Sequence, residues 1–333
     1  MKNKTLFAAS MVLMVLFAAC TEKEGVYNPK KKIAKIYTSS VAHYGRYDPE
    51  TGTLYNQNTF SYDKQLSEEW TWDGNKLSKI TVYPISPAPN DQDREHDDIL
   101  FTYDGNQIQR IESENEYMTF TYDGKKLQQI QLFSTGSSNP FETYTFTHEG
   151  NKVTQVVFAF EDLLINKTSV NQMKKILFRF ILPSAEKANK ALATLQQAAA
   201  KGSADGMVSI PMELTWTGDN VTGINANYLF PGMTGPEARS LSATFEFDDK
   251  CNPFKNNFLL GMNDGSFSVF NENNMTKSTT ITRFGDGYSF TDEITYSYTY
   301  DSQWPLTQTA VTTYHAEDYG SIDSTTLYFE YVK

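Results

Sequence analysis

At 333 residues, 39% hydrophobic and 21% charged, the chain is long enough to bury a large core and too apolar for disorder over most of its length. Its formal charge of −11, more negative still once a basic leader is removed, excludes a surface built to hold nucleic acid phosphates. With 22 Phe, 20 Tyr and 4 Trp among abundant Thr, the composition favours sheet, because branched and aromatic side chains pack well on a pleated surface.

Lys2 and Lys4 precede an apolar run from Leu6 to Ala19 that ends at Cys20. The run is shorter than the roughly 20 residues a membrane-crossing helix needs. The polar Thr21-Glu22-Lys23-Glu24 behind it is no stop-transfer sequence, so residues 1–19 read as a signal for export. Leu16-Phe17-Ala18-Ala19-Cys20 resembles the bacterial lipobox, which implies cleavage before Cys20 and its acylation; the alternative is an ordinary secretory leader beside a cysteine. Cys251 is the other cysteine, so no internal disulfide is expected, and an unpaired thiol in an oxidising compartment is best tolerated in a core.

Residues 20–32 lack apolar periodicity and read as a tether. Glu22 and Glu24 resemble the acidic signals that send lipoproteins of some Gram-negative bacteria to the outer face of the outer membrane; a solvated linker on a periplasm-facing lipoprotein is the alternative. The first expected partner is thus a membrane, reached through the N-terminal lipid.

From residue 33 onward a strand, turn, strand unit recurs. Five segments align without gaps: Trp70 to Ile80, Phe101 to Ile111, Phe120 to Ile130, Phe146 to Val156 and Leu214 to Ile224. Weaker copies begin at Phe60, Phe245 and Tyr298. Apolar residues alternate before the turn, as at Phe101 and Tyr103, and Asp-Gly-Asn or Asp-Gly-Lys then reverses the chain. Beyond the turn the apolar residues fall three apart (Leu77 and Ile80, Leu127 and Ile130). Either a bulge restores their phase or both faces of the strand are partly covered.

The copies are too irregularly spaced for a solenoid, and two strands per unit give roughly 14 to 18 strands, more than an open twisted sheet carries without curling. The expected fold is all-β, a large antiparallel meander of hairpins curled into a closed or partial barrel. One helical insertion interrupts it at about residues 170–202: Ser184 caps an alanine-rich stretch that stops at Gly202.

The Phe/Tyr-Thr-Tyr-Asp-Gly-Asn-Lys-Leu units resemble the YD repeats of bacterial surface and toxin shells. Together with the lipoprotein start, residues 33–333 resemble a domain of unknown function with a porin-like fold, carried by lipoproteins of Gram-negative gut bacteria. That resemblance implies a porin-like β-domain and transfers no catalytic or ligand residue. A lipid-facing barrel needs an apolar outer band, whereas the positions alternating with aromatics here are Thr, Ser, Glu, Gln and Lys, which reads as a water-soluble barrel held by lipid alone.

Candidate chemistry is sparse. His43, His96, His148 and His315 lack the spacing of a zinc site, and His148 occupies the repeat position of Tyr103 and Tyr122, which reads as a strand-surface residue. No GxSxG, Gly-rich phosphate loop or Cys-His context occurs, so neither catalysis nor a cofactor is expected. Asp91, Asp93 and Glu95 alternate as in a calcium loop, but the turn Gly and the closing Glu are missing, and an acidic loop is the better reading.

Trp70, Trp72, Trp216 and Trp304 are candidates for stacking on a glycan, although three of them stand at packing positions of the repeat. Residues 134–142 and 231–240 form longer loops of the kind that hold binding sites. The functional reading is a non-catalytic envelope lipoprotein that binds a ligand or partner, a glycan or an envelope protein. The alternatives are a structural envelope component without a ligand and a hydrolase assembled from distant residues.

Overall fold

A computed structural model describes residues 24–48, 51, 53–85, 96–161, 207–228, 239–258, 267–284, 289–316 and 319–333. The described strands form one closed antiparallel barrel in which each strand pairs with its neighbours in sequence and the first pairs with the last. They are β1 (Ile33–Asp48), β2 (Thr53–Asp73), β3 (Lys76–Val82), β4 (Asp97–Asp104), β5 (Gln107–Glu112), β6 (Glu116–Asp123), β7 (Lys126–Ser134) and β8 (Glu142–Glu149). The second half comprises β9 (Lys152–Glu161), β10 (Met207–Thr217), β11 (Asn220–Tyr228), β12 (Arg239–Cys251), β13 (Asn273–Phe284), β14 (Ser289–Asp301), β15 (Trp304–Ala316) and β16 (Tyr319–Tyr331). The helical insertion expected at about 170–202 lies outside the described residues, as do the leader and Cys20.

The repeat is the hairpin of this wall. In the β4–β5 hairpin its first residue pairs with its eleventh (Phe101 with Ile111), its second with its tenth (Thr102 with Arg110) and its third with its eighth (Tyr103 with Ile108), which leaves Gln109 as an extra residue. The same shift follows Thr71, Thr121, Thr147, Thr215 and Thr299. A bulge therefore restores the phase: Leu77 and Ile80, three apart, are 0% and 1% exposed on the inner face. At the turns Gly74, Gly105, Gly124, Gly150 and Gly218 have φ between 57° and 60°, the left-handed region that glycine enters without strain. The β14–β15 turn holds Ser302 there instead, at φ 58°.

Two further copies complete the circle. Phe245, Glu246 and Phe247 pair with Ser278, Lys277 and Met275, so β12 and β13 form a repeat whose short turn is replaced by a longer connection, of which residues 252–258 and 267–272 are described. The last copy is split between the ends of the chain. Phe329 pairs with Ile36, Glu330 with Lys35 and Tyr331 with Ile33, with Ala34 as the bulge, and the C-terminus supplies the first half of a unit whose second half begins β1. Sixteen strands are thus eight hairpins of one design.

Polarity is sorted by face. The first, eighth and eleventh positions point inward and are mostly buried, as at Phe120, Leu127 and Ile130. The second positions, Thr71, Thr102, Thr121, Thr147, Thr215, Glu246, Thr299 and Glu330, are all exposed. Salt bridges such as Lys35 to Glu69 at 2.7 Å and Lys277 to Glu293 at 2.8 Å lie on this outer face. Among the described residues, no helix is long and apolar enough to cross a membrane.

Residues 24–32, expected as part of a solvated tether, are docked instead. Glu24 N–H donates to the Lys125 carbonyl at 2.9 Å, and Ile108 N–H to the Gly25 carbonyl at 2.9 Å. Tyr27 is 2% exposed, against Trp70 and Trp72. At the far end of this strap, Lys32 Nζ donates to the Gly74 carbonyl at 2.6 Å and Lys31 pairs with Asp301 at 2.6 Å. A strap with one aromatic anchor and backbone bonds to turns has no periodicity for a sequence reading to detect. Cys251, expected in a core, is half-buried at the end of β12.

Candidate functional site

The candidate site is the barrel lumen, built from the turn end upward. Inside the turns, residues 252–258 and 267–271 form a floor. Phe258 meets Phe120 at 5.8 Å and Phe270 at 6.2 Å between ring centroids, and Phe270 also meets Phe146 at 6.0 Å. Phe267 and Val269 are 1% and 0% exposed, so this floor is continuous with the core of the wall.

Amides satisfy its backbone. Asn252 Nδ2 donates to the Ser268 and Asn271 carbonyls at 2.9 and 3.0 Å, and Val221 N–H donates to Asn271 Oδ1 at 2.6 Å. Tyr27 Oη donates to the Pro253 carbonyl at 2.8 Å, tying floor to strap, and its burial pushes the phenol far above its usual range.

Around the floor the third repeat position carries a hydrogen-bond donor that latches each hairpin to the one before. Tyr103 Oη donates to the Leu77 carbonyl at 2.7 Å, Tyr122 Oη to Ile108 at 2.8 Å and Trp216 Nε1 to Val153 at 2.7 Å. Trp72 Nε1 reaches Ile33 at 2.7 Å and Tyr331 Oη reaches Pro305 at 2.7 Å, so the latch also crosses the split copy. Each acceptor is the carbonyl of an eighth position. Desolvation raises the Tyr103, Tyr122 and Tyr331 phenols, which keeps them protonated and donating.

Three copies depart from this scheme. Phe247 has no donor. In the β14–β15 hairpin Tyr298 supplies the bond, to Met275 at 2.7 Å, while Tyr300 Oη turns to Asp248. His148 turns to the strap: its Nε2 lies 3.0 Å from Glu24 Oε2, which also accepts Leu127 N–H at 2.6 Å. The expectation of a strand-surface histidine is therefore corrected. The His148 side chain is 4% exposed because the strap covers it.

Above the floor lies a cavity of about 250 Å³, lined among others by Ile36, Glu68, Phe254, Tyr296, Gln308 and Leu327. Glu68 borders this cavity and accepts Trp70 Nε1 at 2.7 Å; burial lifts its carboxyl above the usual carboxylate range, and the indole bond only partly offsets this. Higher up the inner face turns polar. Asp323, which pairs in register with Ala42 and Thr312, is also raised by burial. Phe60 shares the inward face with Ala42 and is 46% exposed, and its ring meets that of Tyr62 at 6.2 Å.

The sequence candidates fall as follows. Trp70 is 5% exposed, Trp72 and Trp216 serve as latches, and Trp304 is half-buried beside Tyr331 at 6.5 Å. Asp91, Asp93 and Glu95 lie outside the described residues, and among the described residues no cluster of His, Cys, Asp and Glu could hold a metal. His43 Nδ1 lies 3.1 Å from Thr59 Oγ1, His96 packs near Tyr83 at 5.9 Å, and the backbone of His315 pairs with Gly320. The loop at 134–142 sits at the end of the barrel opposite the turns. Glu68 escaped the sequence reading, and Phe60, read there as the start of a weaker copy, lies within the unbroken β2 with no turn behind it; both stand an even number of residues from Trp70.

No family model matches the chain, and no curated protein matches it. Among solved structures it is similar to a porin-like protein from Bacteroides uniformis, with 11% identity over 93% of this chain and 100% of that one and a TM-score of 0.47. A porin-like protein from Bacteroides vulgatus aligns at 7% identity over 91% of this chain and 99% of that one, with a TM-score of 0.29. At such scores the all-β closed barrel described above stands on its own strand pairing.

Proposed function

We propose that the chain is a non-catalytic cell-envelope lipoprotein, held to the outer membrane through acylated Cys20, whose barrel is a floored cup for a ligand and not a conduit. The observation that carries this reading is the polarity of the wall. Thr or Glu stands exposed at the second position of every hairpin, where a membrane-spanning barrel needs an apolar band about 25 Å tall. The packed floor supports the same reading, since it fills the turn end of the lumen.

A ligand would enter from the other end and meet Phe60 and Tyr62 before reaching Glu68 and Gln308. Exposed aromatic rings with amide and carboxyl groups below them make glycans the first class to screen. A second reading, an envelope component without a ligand, draws support from Trp72 and Trp216, whose indoles are already engaged as latches.

The test uses protein lacking residues 1–20 and, separately, Cys20→Ala in the full chain behind a secretory leader. The shortened form should stay in solution without detergent and leave planar bilayers non-conducting, and a glycan array with thermal-shift readout then searches for the ligand. The Cys20→Ala chain should lose the fatty-acid label that the native chain takes up, and should leave the membrane fraction. Solubility only in detergent, together with conductance, overturns the cup.

A further inference from the structure

We infer that the barrel stands on its turn end against the lipid headgroups, with the mouth of the lumen directed away from the membrane. The inference rests on the proposed acylation of Cys20 and adds an orientation to it. Glu24 is fixed to the barrel within a cluster of three consecutive turns. Its N–H is bound to the Lys125 carbonyl at 2.9 Å, its carbonyl accepts Gln107 Nε2 at 3.1 Å, and its carboxylate meets His148 and Leu127 N–H.

Gly25 makes this docking specific. Its φ is 77°, and a Cβ there would fall 2.0 Å from Tyr122 Oη, so the strap passes where no side chain fits. Four residue steps separate Cys20 from Glu24, a reach of about 14 Å when fully extended.

That length decides the orientation. The wall beside Glu24 is the short one. β6 has 8 residues, which at about 3.3 Å each and a tilt of about 40° stand about 20 Å tall. A tether of about 14 Å cannot run the height of that wall, so the mouth cannot be turned onto the membrane. The turn end is suited to a headgroup surface. Asp73, Asn75, Asp104, Asp123, Lys125 and Glu149 are exposed there, so that the surface is mainly polar, with Val332, 50% exposed, as an apolar side chain at its edge. Acyl chains hold the protein, and the turns rest on the lipid polar layer.

The experiment uses the full acylated chain with Cys251→Ser, reconstituted in vesicles of phosphatidylethanolamine and phosphatidylglycerol that contain a nickel-chelating lipid. Single cysteines at Asn75 and Asn151 (turn end) and at Thr53 and Ser138 (mouth), all exposed, carry a nitroxide label. Relaxation enhancement by the headgroup nickel should be severalfold larger at Asn75 and Asn151 than at Thr53 and Ser138. A flexible Gly/Ser insert of about 20 residues between Lys23 and Glu24, with an r.m.s. reach of about 25 Å, should erase that difference while the acyl label persists.

Equal enhancement at all four sites of the acylated native chain, or enhancement at Ser138 matching Asn151 as in a barrel lying on its short wall, overturns the orientation and leaves the anchor standing. A native chain that takes up no fatty acid overturns both.

Discussion

Tyr331 and Ile33 meet across the seam of the barrel in the register that Tyr103 and Ile108 use within a single hairpin. The two ends of the chain therefore act as the two arms of one repeat, and the Tyr331 hydroxyl latches onto Pro305 as Tyr103 latches onto Leu77.

If the latches hold neighbouring hairpins together, removing single hydroxyls should be felt wherever they sit. Tyr103→Phe, Tyr122→Phe and Tyr331→Phe each keep the ring and remove the bond to an eighth-position carbonyl of the wall. Each should cost about 1–2 kcal/mol in urea unfolding. The Tyr331 variant should match the other two if the split copy is equivalent to the continuous ones. A seam variant with unchanged stability would make the C-terminal strand an accessory.

The turns offer a pair of opposite changes. Ser302 sits at φ 58°, which costs a residue with a Cβ about 1–2 kcal/mol, so Ser302→Gly should raise the melting temperature by the equivalent of about 1 kcal/mol. Gly105→Val and Gly124→Val, at φ 57° and 60°, should each lower stability by about 1–3 kcal/mol. No atom lies within 4 Å of a Cβ built at either glycine, so the loss would be backbone strain and not collision.

Glu68 gives a pH signature. Its carboxyl is raised by burial, so between the ordinary Glu value and the raised one the folded chain holds a proton that the unfolded chain has lost. Stability contributed by neutral Glu68 is then fully present below the ordinary value and is lost as pH rises through that window. Glu68→Gln keeps an acceptor for Trp70 Nε1 without the charge. Wild type and variant should unfold alike at low pH, and the variant should become the more stable as pH rises. Parallel curves across the range would show that Glu68 is solvated.

The hairpin was legible because its pattern is local. Apolar residues two apart, an Asp-Gly turn and then apolar residues three apart define strand, reversal and bulge without any tertiary knowledge. The Asn-rich β12–β13 copy and the Ser302 copy were visible only as weak matches, since one has lost its short turn and the other its glycine. The split copy went unseen because Phe329-Glu330-Tyr331 and Ile33-Ala34-Lys35-Ile36 are neighbours only after closure. Yet the three-residue step from Ile33 to Ile36 was readable.

The lumen was less legible. The third positions of the five clean copies, Trp72, Tyr103, Tyr122, His148 and Trp216, all carry an N–H or O–H, against Phe and Leu at many first positions, a contrast that reading them as alternating apolar residues passes over. The placing of His148 failed because its cover, Glu24, is distant in sequence and belongs to a stretch that reads as solvated.

The pairing of β1 with β16 also sets a condition on folding. A chain made from its N-terminus carries β1 with one bare edge until the last residues exist, and such an edge recruits other strands. Contacts between residues this far apart in sequence are slow to form. Hairpins can zip one after another along the wall, but the circle closes in a single late event, and loss of β16 would leave a coiled sheet with two open sides.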